Sequence, residues 1–278
     1  MNAFNELRKN FIEFVFEGAE LEGLGLTYAK THDIVSNLQK SKNRYTWQQY
    51  NAVKGMLDAY QQIIDWLEKK DEISFFHLKE LNILIDFYEE LSFAGQLRMK
   101  NIVIGGTNYQ PPIPNKQNIS ELINELLNMP PSFENGIKIM AKLSKIQCFN
   151  NGNKRTALVF ANFLLIKNNL PIIHIKNHEE YIHRLVDYYN DELQLNTFIA
   201  CVKQMQENQY SNKNSDVSKL IKINMLNRNL TQYQLAKKCG IDSGFLSRII
   251  NKKAKLSINV AKKIADVLNI NWKDLFPI

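Results

Sequence analysis

A mainly helical protein of two domains is predicted by three features of the sequence. Apolar residues recur at helical spacing through most of residues 1–205, which predicts a large helical first domain. Residues 206–216 are rich in Asn, Gln and Ser and lack aliphatic side chains, which is the composition of a linker. Residues 217–278 contain five short helical segments separated by capping residues, which predicts a small second domain.

Five segments of the first domain have the clearest helical periodicity. They are Trp47 to Lys69, Leu78 to Phe93, Ile119 to Asn128, Gly136 to Ile146 and Thr156 to Asn168. The last segment is apolar on almost every side, which predicts a central helix. The segment before it has a single apolar face, made by Ile137, Met140, Leu143 and Ile146.

One segment departs from the helical pattern. The β-branched run 102–104 (Ile-Val-Ile) ends in Gly105-Gly106 and is followed by Pro111-Pro112. This pattern predicts a short β-hairpin on an otherwise helical body. A plain surface hairpin with no further role has the same pattern.

The composition favours an ordinary intracellular chain. Of the 278 residues, 45% are hydrophobic and 23% are charged, which is enough apolar material for a core. No apolar run reaches the roughly 18 residues of a membrane helix, and the N-terminus lacks the pattern of a signal peptide. Cys148, Cys201 and Cys239 are scattered and show no C-x-x-C spacing. We therefore expect a cytoplasmic protein with free thiols and no membrane contact.

The positive charge is concentrated at one end of the chain. Residues 211–278 hold thirteen Lys or Arg and four Asp, a net charge of +9. Residues 1–210 hold twenty-two basic and twenty-four acidic side chains, a net charge of −2. The C-terminal part is therefore suited to a polyanion, and the rest is not.

The stretch "QCFNNGNKR", residues 147–155, connects the two apolar helices that precede and follow it. Gly152 tolerates a positive φ, so successive N–H groups at Gly152, Asn153 and Lys154 can collect at the start of the buried helix. Unpaired amides and the helix dipole favour an anion there, and the Arg155 guanidinium suits phosphate oxygens. The alternative is a capped turn with solvated Lys154 and Arg155.

The same stretch resembles the Fic/Doc family signature H-x-F-x-[DE]-G-N-[GK]-R. The matching residues are Phe149, Gly152, Asn153, Lys154 and Arg155. Upstream, Gly95 to Pro112 is similar to the family's flap, and the segments after residue 168 are similar to its closing helices. The resemblance covers roughly residues 10–205 and implies a Fic-type helical bundle with a short β-hairpin flap.

This resemblance implies transfer of AMP from ATP to a target hydroxyl, or of a phosphoryl group in Doc relatives. In such proteins the motif His removes the hydroxyl proton and the acid holds Mg²⁺ on the phosphates. The Gly-Asn backbone and the Arg bind phosphate oxygens. The flap pairs with a target protein as an added strand. The resemblance therefore implies ATP, with Mg²⁺, as the ligand.

Two positions depart from the signature, and both carry its chemistry. Gln147 stands where the His belongs, and a carboxamide is not a base near pH 7. Asn151 stands where the acid belongs, and its amide oxygen can ligate Mg²⁺ only without a charge. No His lies within 20 residues of Gln147. We assign no metal site, and we expect phosphate binding to survive better than catalysis.

Gly18 to Thr27 resembles the family's inhibitory helix, [ST]-x-x-x-E-[GN]. Glu22 and its following Gly match, whereas Gly18 replaces the Ser or Thr. The family's Arg partner falls at Leu158 here, so the expected partner is absent. Glu22 could instead pair with Arg155 and oppose a bound γ-phosphate. A solvated Glu on an N-terminal helix is the alternative.

The C-terminal part shows the spacing of a helix-turn-helix. Thr231 is placed to cap a helix that ends at Gly240, and Asp242 or Ser243 caps the next. Ser257 is placed to cap a third helix. The three-residue turn and the apolar positions resemble the Cro/lambda-repressor-like (XRE) helix-turn-helix family over residues 217–278.

The resemblance places a recognition helix and its neighbours against double-stranded DNA. The candidate DNA-binding residues are Gln232, Ser243, Gly244, Ser247 and Arg248, and the candidate phosphate partners are Lys237, Lys238, Lys252, Lys253 and Lys255. Such domains usually bind as dimers, so we expect a homodimer. The alternative is a protein-interaction domain with solvated lysines.

Three functions remain open. The first is a DNA-binding regulator whose degenerate Fic loop binds a nucleotide. The second is a working Fic adenylyltransferase with an appended DNA-binding module, in which well-positioned substrates compensate for a poor base. The third is an inactive helical scaffold that only binds DNA. Whether the chain is an enzyme depends on Gln147 and Asn151.

Overall fold

The computed structural model describes residues 3–41, 44–86, 93–215, 217–228, 230–251, 253–270 and 272–275. The chain divides into two compact units, Met1–Met205 and Gln206–Ile278. The described part of each unit is mainly helical, as the sequence predicts.

Among the described residues, ten helices lie wholly within the larger unit. They are α1 Ala3–Lys9, α2 Phe11–Ala19, α3 Tyr28–Ser36, α4 Leu38–Ser41, α5 Trp47–Lys69, α6 Phe75–Asp86, α7 Lys116–Leu127, α8 Phe133–Ile146, α9 Asn153–Lys167 and α10 His178–Asn190. Helix α11 runs from Leu195 to Ser215, and short 3₁₀ turns occupy Glu20–Glu22 and Glu192–Gln194. Of the predicted helix that extends to Phe93, residues 87–92 lie outside the described ranges.

Helix α9 is the centre of the larger unit. Nearly all of its residues are buried, and it packs against α8, α6 and α5. The helix predicted to be central is therefore central. Helix α8 buries Ile137, Met140 and Leu143 as predicted, while Ile146 at its end is half-buried.

Helices α5 and α6 cross closely enough to hold the end of α6 beside the core. A Cβ at Gly55 would lie 2.6 Å from the carbonyl oxygen of Ile85, so only glycine fits at this crossing. Helix α5 is itself well delimited, because Thr46 and Gln49 form a capping box and Lys70 ends it in the left-handed region. The last turn of α6 is thereby fixed near the start of α9.

A buried ionic cluster anchors α2. Glu17 accepts hydrogen bonds from Ile175 N at 3.0 Å and Lys176 Nζ at 2.6 Å, and lies 3.0 Å from His174 Nδ1. Glu6 of α1 lies 3.9 Å from the other ring nitrogen of His174, and Lys176 also pairs with Glu13. The cluster ties the N-terminal helices to the segment that precedes α10.

Two opposing effects set the charges in this cluster. Burial acts to raise the pKa of Glu17, but the hydrogen bond and charge of His174, with the charge of Lys176, outweigh it and lower the pKa. Burial acts to lower the pKa of His174, but the hydrogen bonds to Glu17 and Glu6 outweigh it and raise the pKa. The pair is therefore ionised across a wider pH range than either group alone.

The predicted β-hairpin contains no β-strand in the described residues, so the structure does not confirm it. Their one isolated bridge joins Leu97 to Phe149, and Arg98 N donates to Cys148 O at 2.9 Å. The run 102–104 is joined across its turn by a bond of 3.4 Å from Ile104 N to Tyr109 O. The prolines that follow have no N–H, so they cannot extend a β-ladder within the flap. The base of the flap pairs with the loop.

The residues predicted to form a linker are helical up to Ser215, because α11 continues through them. Polar side chains such as Gln and Glu have adequate helix propensity once a helix is already nucleated. The absence of aliphatic residues indicated the end of a buried core, and the unit boundary after Met205 lies at that point.

The part of the smaller unit that the structure describes after residue 216 contains five short helical elements, as predicted. They are α12 Val217–Asn227, α13 Gln232–Cys239, α14 Ser243–Ile250, α15 Ile258–Leu268 and a 3₁₀ turn Trp272–Leu275. The predicted caps are formed: Thr231 accepts from Gln234 N, Asp242 from Phe245 N and Ser257 from Val260 N.

The smaller unit has a hydrophobic core of its own. Its buried core includes Leu235, Leu246, Ile249, Ile264 and Leu268.

The three cysteines are free thiols, and those at 148 and 239 are buried. None of the described helices is both long enough and apolar enough to cross a membrane.

Replacing Glu17 with Gln is expected to destabilise the larger unit by about 3 kcal/mol near pH 6, because the cations of the cluster lose their buried anion. The stabilisation from His174 is complete below its ordinary pKa of 6.5 and is lost as pH rises through the raised pKa. The stabilisation from Glu17 is complete above its ordinary pKa of 4.5 and is lost as pH falls through the lowered pKa. The difference between wild type and variant should therefore shrink above pH 6.5.

Urea denaturation of the full chain at pH 6, 7 and 8, followed by circular dichroism, measures this difference. The matched control is Glu180→Gln, which breaks an exposed pair with Arg184 and should change stability by less than about 0.5 kcal/mol. An equal loss for Glu17→Gln at all three pH values would contradict a role for the His174 charge.

Candidate functional site

The loop between α8 and α9 is bounded by two residues in the left-handed region. Gln147 ends α8 with φ 52°, and Gly152 begins α9 with φ 71°. The first backbone bond of α9 runs from Thr156 N to Gly152 O at 2.9 Å. The N–H groups of Asn153, Lys154 and Arg155 therefore precede the helical ladder and lie at the positive end of the helix dipole.

The Asn153 side chain closes this loop. Its Oδ1 accepts from Phe149 N at 2.9 Å, and its Nδ2 donates to Phe149 O at 2.9 Å and to Gln147 Oε1 at 3.2 Å. Asn153 is buried, and the bond pattern uses both ends of its amide. Predicted as a phosphate-binding position, Asn153 thus also fixes the backbone that would receive the phosphate.

The end of α6 presses against the loop from the other side. Asn82 Nδ2 donates to Asn151 O at 3.0 Å and to Thr156 Oγ1 at 3.2 Å. A Cβ at Gly152 would lie 3.1 Å from Ile85 Cγ2 and 3.2 Å from Asn82 Nδ2. The positive φ and this close approach together explain why glycine occupies the position.

The Gln147 side chain is engaged within the loop. Its Nε2 donates to Ser144 O at 2.7 Å, and its Oε1 accepts the bond from Asn153. Both polar ends of the carboxamide therefore serve to hold α8 and the loop together. The side chain at the position of the family's base acts here as a structural bridge.

Asn151 contacts a carboxylate that the sequence analysis did not single out. Its Nδ2 lies 2.9 Å from Oδ1 of Asp86, the last residue of α6, whose side chain is buried. The signal for Asp86 and Asn82 was present, because both are polar residues inside an apolar helical run. Their meeting with the loop depends on tertiary packing that periodicity does not reveal.

Arg155 is fully buried and pairs with Glu22. Arg155 Nε lies 2.8 Å from Glu22 Oε1, and Nη1 donates to Ile85 O at 3.4 Å. The Glu22 side chain is about one quarter exposed, at 24%. Glu22 therefore faces the loop, and the pairing with Arg155 takes the place of the absent partner at Leu158.

The other loop residues differ in exposure. Lys154 is half-buried, whereas Phe149 is buried and forms the bridge to the flap. Cys148 is also buried, and burial raises the pKa of its thiol to about 12, so it is not a thiolate nucleophile at neutral pH. Arg98, another buried residue of the flap, donates to Gln147 O at 3.1 Å and to Pro112 O at 2.8 Å.

The smaller unit brings its predicted DNA-binding residues onto α14 and the start of α13. Arg248 is exposed, while Ser243, Gly244 and Ser247 are half-buried. Gln232 Nε2 donates to Ser243 O at 3.3 Å, so this side chain bridges the two helices. The basic side chains at 237, 238, 253 and 255 are exposed, and position 252 lies outside the described residues.

Two parts of the chain match known families. Residues 72–165 match the Fic/DOC family, a range that includes α6, the loop and most of α9. Residues 221–275 match a helix-turn-helix family, a range that includes α13, α14 and α15.

The chain is also similar to individual proteins. It is 25% identical over 191 residues to a protein adenylyltransferase Fic of Aedes aegypti, an alignment that covers 65% of this chain and 37% of that protein. The chain therefore spans well under half the length of this curated relative.

Among solved structures, Fic-1 from C. elegans matches with a TM-score of 0.60 and 20% identity, over 74% of this chain and 64% of that one. A Fic domain containing signaling protein from Bacteroides thetaiotaomicron matches with a TM-score of 0.56 and 18% identity, over 72% and 84%. At these identities the likeness establishes the fold.

Proposed function

We propose that the protein binds DNA and senses a nucleotide at a catalytically degenerate Fic loop. Its chain matches the Fic/DOC family and a helix-turn-helix family in separate segments. The observation that carries this proposal is the state of the loop. It keeps the N–H groups of Asn153, Lys154 and Arg155, which we call the amide cradle, together with the Arg155 guanidinium, while the base position holds a carboxamide engaged in two structural hydrogen bonds.

ATP is the ligand that this loop suits. A phosphate group would accept from the first amides of α9 and from the Arg155 guanidinium, which lie together at the positive end of a buried helix. Burial of these donors strengthens each contact, because the surrounding dielectric is low. The Asn151 side chain brings an amide oxygen to the same loop, and oxygen is the ligand type that Mg²⁺ prefers.

Proton removal is the step that this loop does not support. General-base catalysis contributes about 10²–10⁴-fold to a rate, and neither end of the Gln147 amide can accept a proton near pH 7. The Cys148 thiol is protonated and buried, so it is not a substitute. We therefore assign the loop to binding.

The second candidate function is an active adenylyltransferase. It is favoured by the similarity to a protein adenylyltransferase Fic and by the retained phosphate cradle. A well-positioned hydroxyl could react slowly without a base, because proximity alone lowers a barrier by several kcal/mol. A target protein would then pair with the flap.

The Glu22–Arg155 pair acts as a restraint on the nucleotide in either case. A carboxylate 2.8 Å from Nε of the guanidinium offsets its positive charge and repels a phosphate that would approach the same group. Glu22 follows α2 directly, and the Glu17 cluster fixes α2 against the core. The carboxylate is thereby presented by an anchored element.

We expect Glu22→Gln to tighten ATP binding, by about tenfold, because it removes this repulsion between the carboxylate and the phosphate. Arg155→Ala should weaken binding by at least as much, since the phosphate loses a charged donor. Isothermal titration calorimetry of the full chain measures both. Glu179→Gln, which removes an exposed charge from α10, is the control. Equal affinity for wild type and Arg155→Ala would favour the inactive scaffold.

Label transfer separates the two candidate functions. Wild-type protein incubated with Mg²⁺, α-labelled ATP and cell lysate is expected to label no protein above background. Gln147→His supplies the missing base and should raise any residual transfer by about 10²-fold or more. Robust transfer by the unaltered chain would refute the assignment of the loop to binding and establish the transferase.

The helix-turn-helix unit supports DNA binding through charge and shape. Its segment carries the +9 balance, and Arg248 projects from the recognition helix α14 between exposed lysines. Lysines at the end of α13 and after α14 are placed to meet phosphates, while Arg248 can reach a base edge. Binding to a symmetric site would bring two copies together, so we include a homodimer in the proposal.

We expect affinity for a DNA site selected from a random library to fall by about 10³-fold between 50 and 200 mM salt, given about six phosphate contacts. Arg248→Ala should cost about 1–3 kcal/mol and relax the base preference at one position. Lys255→Ala, the control, should weaken all sequences alike. Fluorescence anisotropy measures these affinities, and a flat salt response would argue for a protein-interaction domain instead.

A further inference from the structure

Asp86 lies directly behind the loop position at which the Fic signature has an acid. Its side chain is only 1% exposed, and its Oδ1 lies 2.9 Å from Nδ2 of Asn151. Removing a carboxylate from water costs several kcal/mol, so a buried one at this place needs compensation from its surroundings. The contact with Asn151 supplies part of that compensation and links the carboxylate to the loop.

The contact also determines how the Asn151 amide points. Because Nδ2 is directed at Asp86, the carbonyl oxygen Oδ1 on the other arm of the amide faces away from Asp86. The backbone of Asn151 is held as well, since Asn82 Nδ2 donates to its carbonyl oxygen at 3.0 Å. Two residues of α6 thus fix both the main chain and the side chain of this loop residue.

We propose that Asp86 is a positioning residue that makes Asn151 a ligand for the Mg²⁺ of a bound nucleoside triphosphate, an inference that rests on the nucleotide binding proposed above. Asn151 supplies the ligating oxygen, and Asp86 supplies the negative charge behind it. Hydrogen-bonded partners of this kind orient a ligand and raise its basicity, and their removal typically costs 10–100-fold in metal affinity.

The arrangement accounts for the asparagine in the loop. The substitution Asn151→Asp alone would place two carboxylates about 3 Å apart in a buried site, where one of them must retain a proton. The Asp86–Asn151 pair carries a single negative charge, held on α6 rather than on the loop. A charge-conserving exchange of the two residue types should therefore preserve the function of the pair.

The test compares ATP affinity in excess Mg²⁺ with ATP affinity in EDTA, by calorimetry of the full chain. Mg²⁺ is expected to tighten ATP binding to the wild type. Asp86→Asn should reduce this tightening by about tenfold or more while leaving the affinity in EDTA unchanged. The exchange Asp86→Asn with Asn151→Asp should restore it.

Two further measurements sharpen the result. Asp86→Asn with Asn150→Asp has the same net charge as the exchange, but position 150 is exposed, so this variant should not restore the Mg²⁺ effect. Mn²⁺ serves as a paramagnetic probe in the presence of ATP. It should bind the wild type and the exchange variant and broaden the NMR signals of residues near the loop. It should bind Asp86→Asn more weakly.

The outcomes separate the two proposals. Equal wild-type affinity in Mg²⁺ and EDTA would overturn the role of Asp86 while nucleotide binding stands. The role of Asp86 would also be overturned if Asp86→Asn lost ATP affinity equally in both buffers and also lost thermal stability. Asp86 would then merely tie α6 to the loop. Absence of ATP binding to the wild type in either buffer would overturn both proposals.

Discussion

The hydrogen bonds of the Asn153 side chain are the interaction on which the loop depends. One buried amide holds the backbone of Phe149 at both its N–H and its carbonyl, and it also holds the side chain of Gln147. These bonds bring residues 147–153 into a closed turn, which leads directly into the first amides of α9. The left-handed Gly152 permits the turn, and the amide of Asn153 fixes its two ends relative to each other.

The burial of α9 gives this turn its electrostatic character. Because α9 is apolar on almost every side, its N-terminus lies inside the protein. The helix dipole and the buried Arg155 guanidinium are weakly screened there. Such a site must be balanced by an anion. In the described structure Glu22 contributes that charge to Arg155, and its position follows from the ionic cluster that anchors α2. The anchor and the site are therefore parts of one arrangement of charges.

Local signals in the sequence predicted the parts of the structure that local physics determines. The helix caps at Thr231, Asp242 and Ser257 and the central position of α9 follow from propensity, capping and periodicity. Contacts between distant segments were not accessible in this way. The flap pairs at its base with the loop. Asp86 meets Asn151 because α5 and α6 cross closely at Gly55. Hydrophobic periodicity within one segment does not predict where that helix crosses another.

The buried Arg98 makes the flap and the loop a mechanical unit. One guanidinium donates to the carbonyl at the end of α8 and to the carbonyls of the two prolines that close the flap. Residues 97–112 therefore cannot be lifted from the body of the domain without breaking bonds to the turn that begins at Gln147. A polypeptide that docked along the flap edge and shifted the flap would change the geometry of the amide cradle. Binding at the flap and binding at the loop would therefore be coupled.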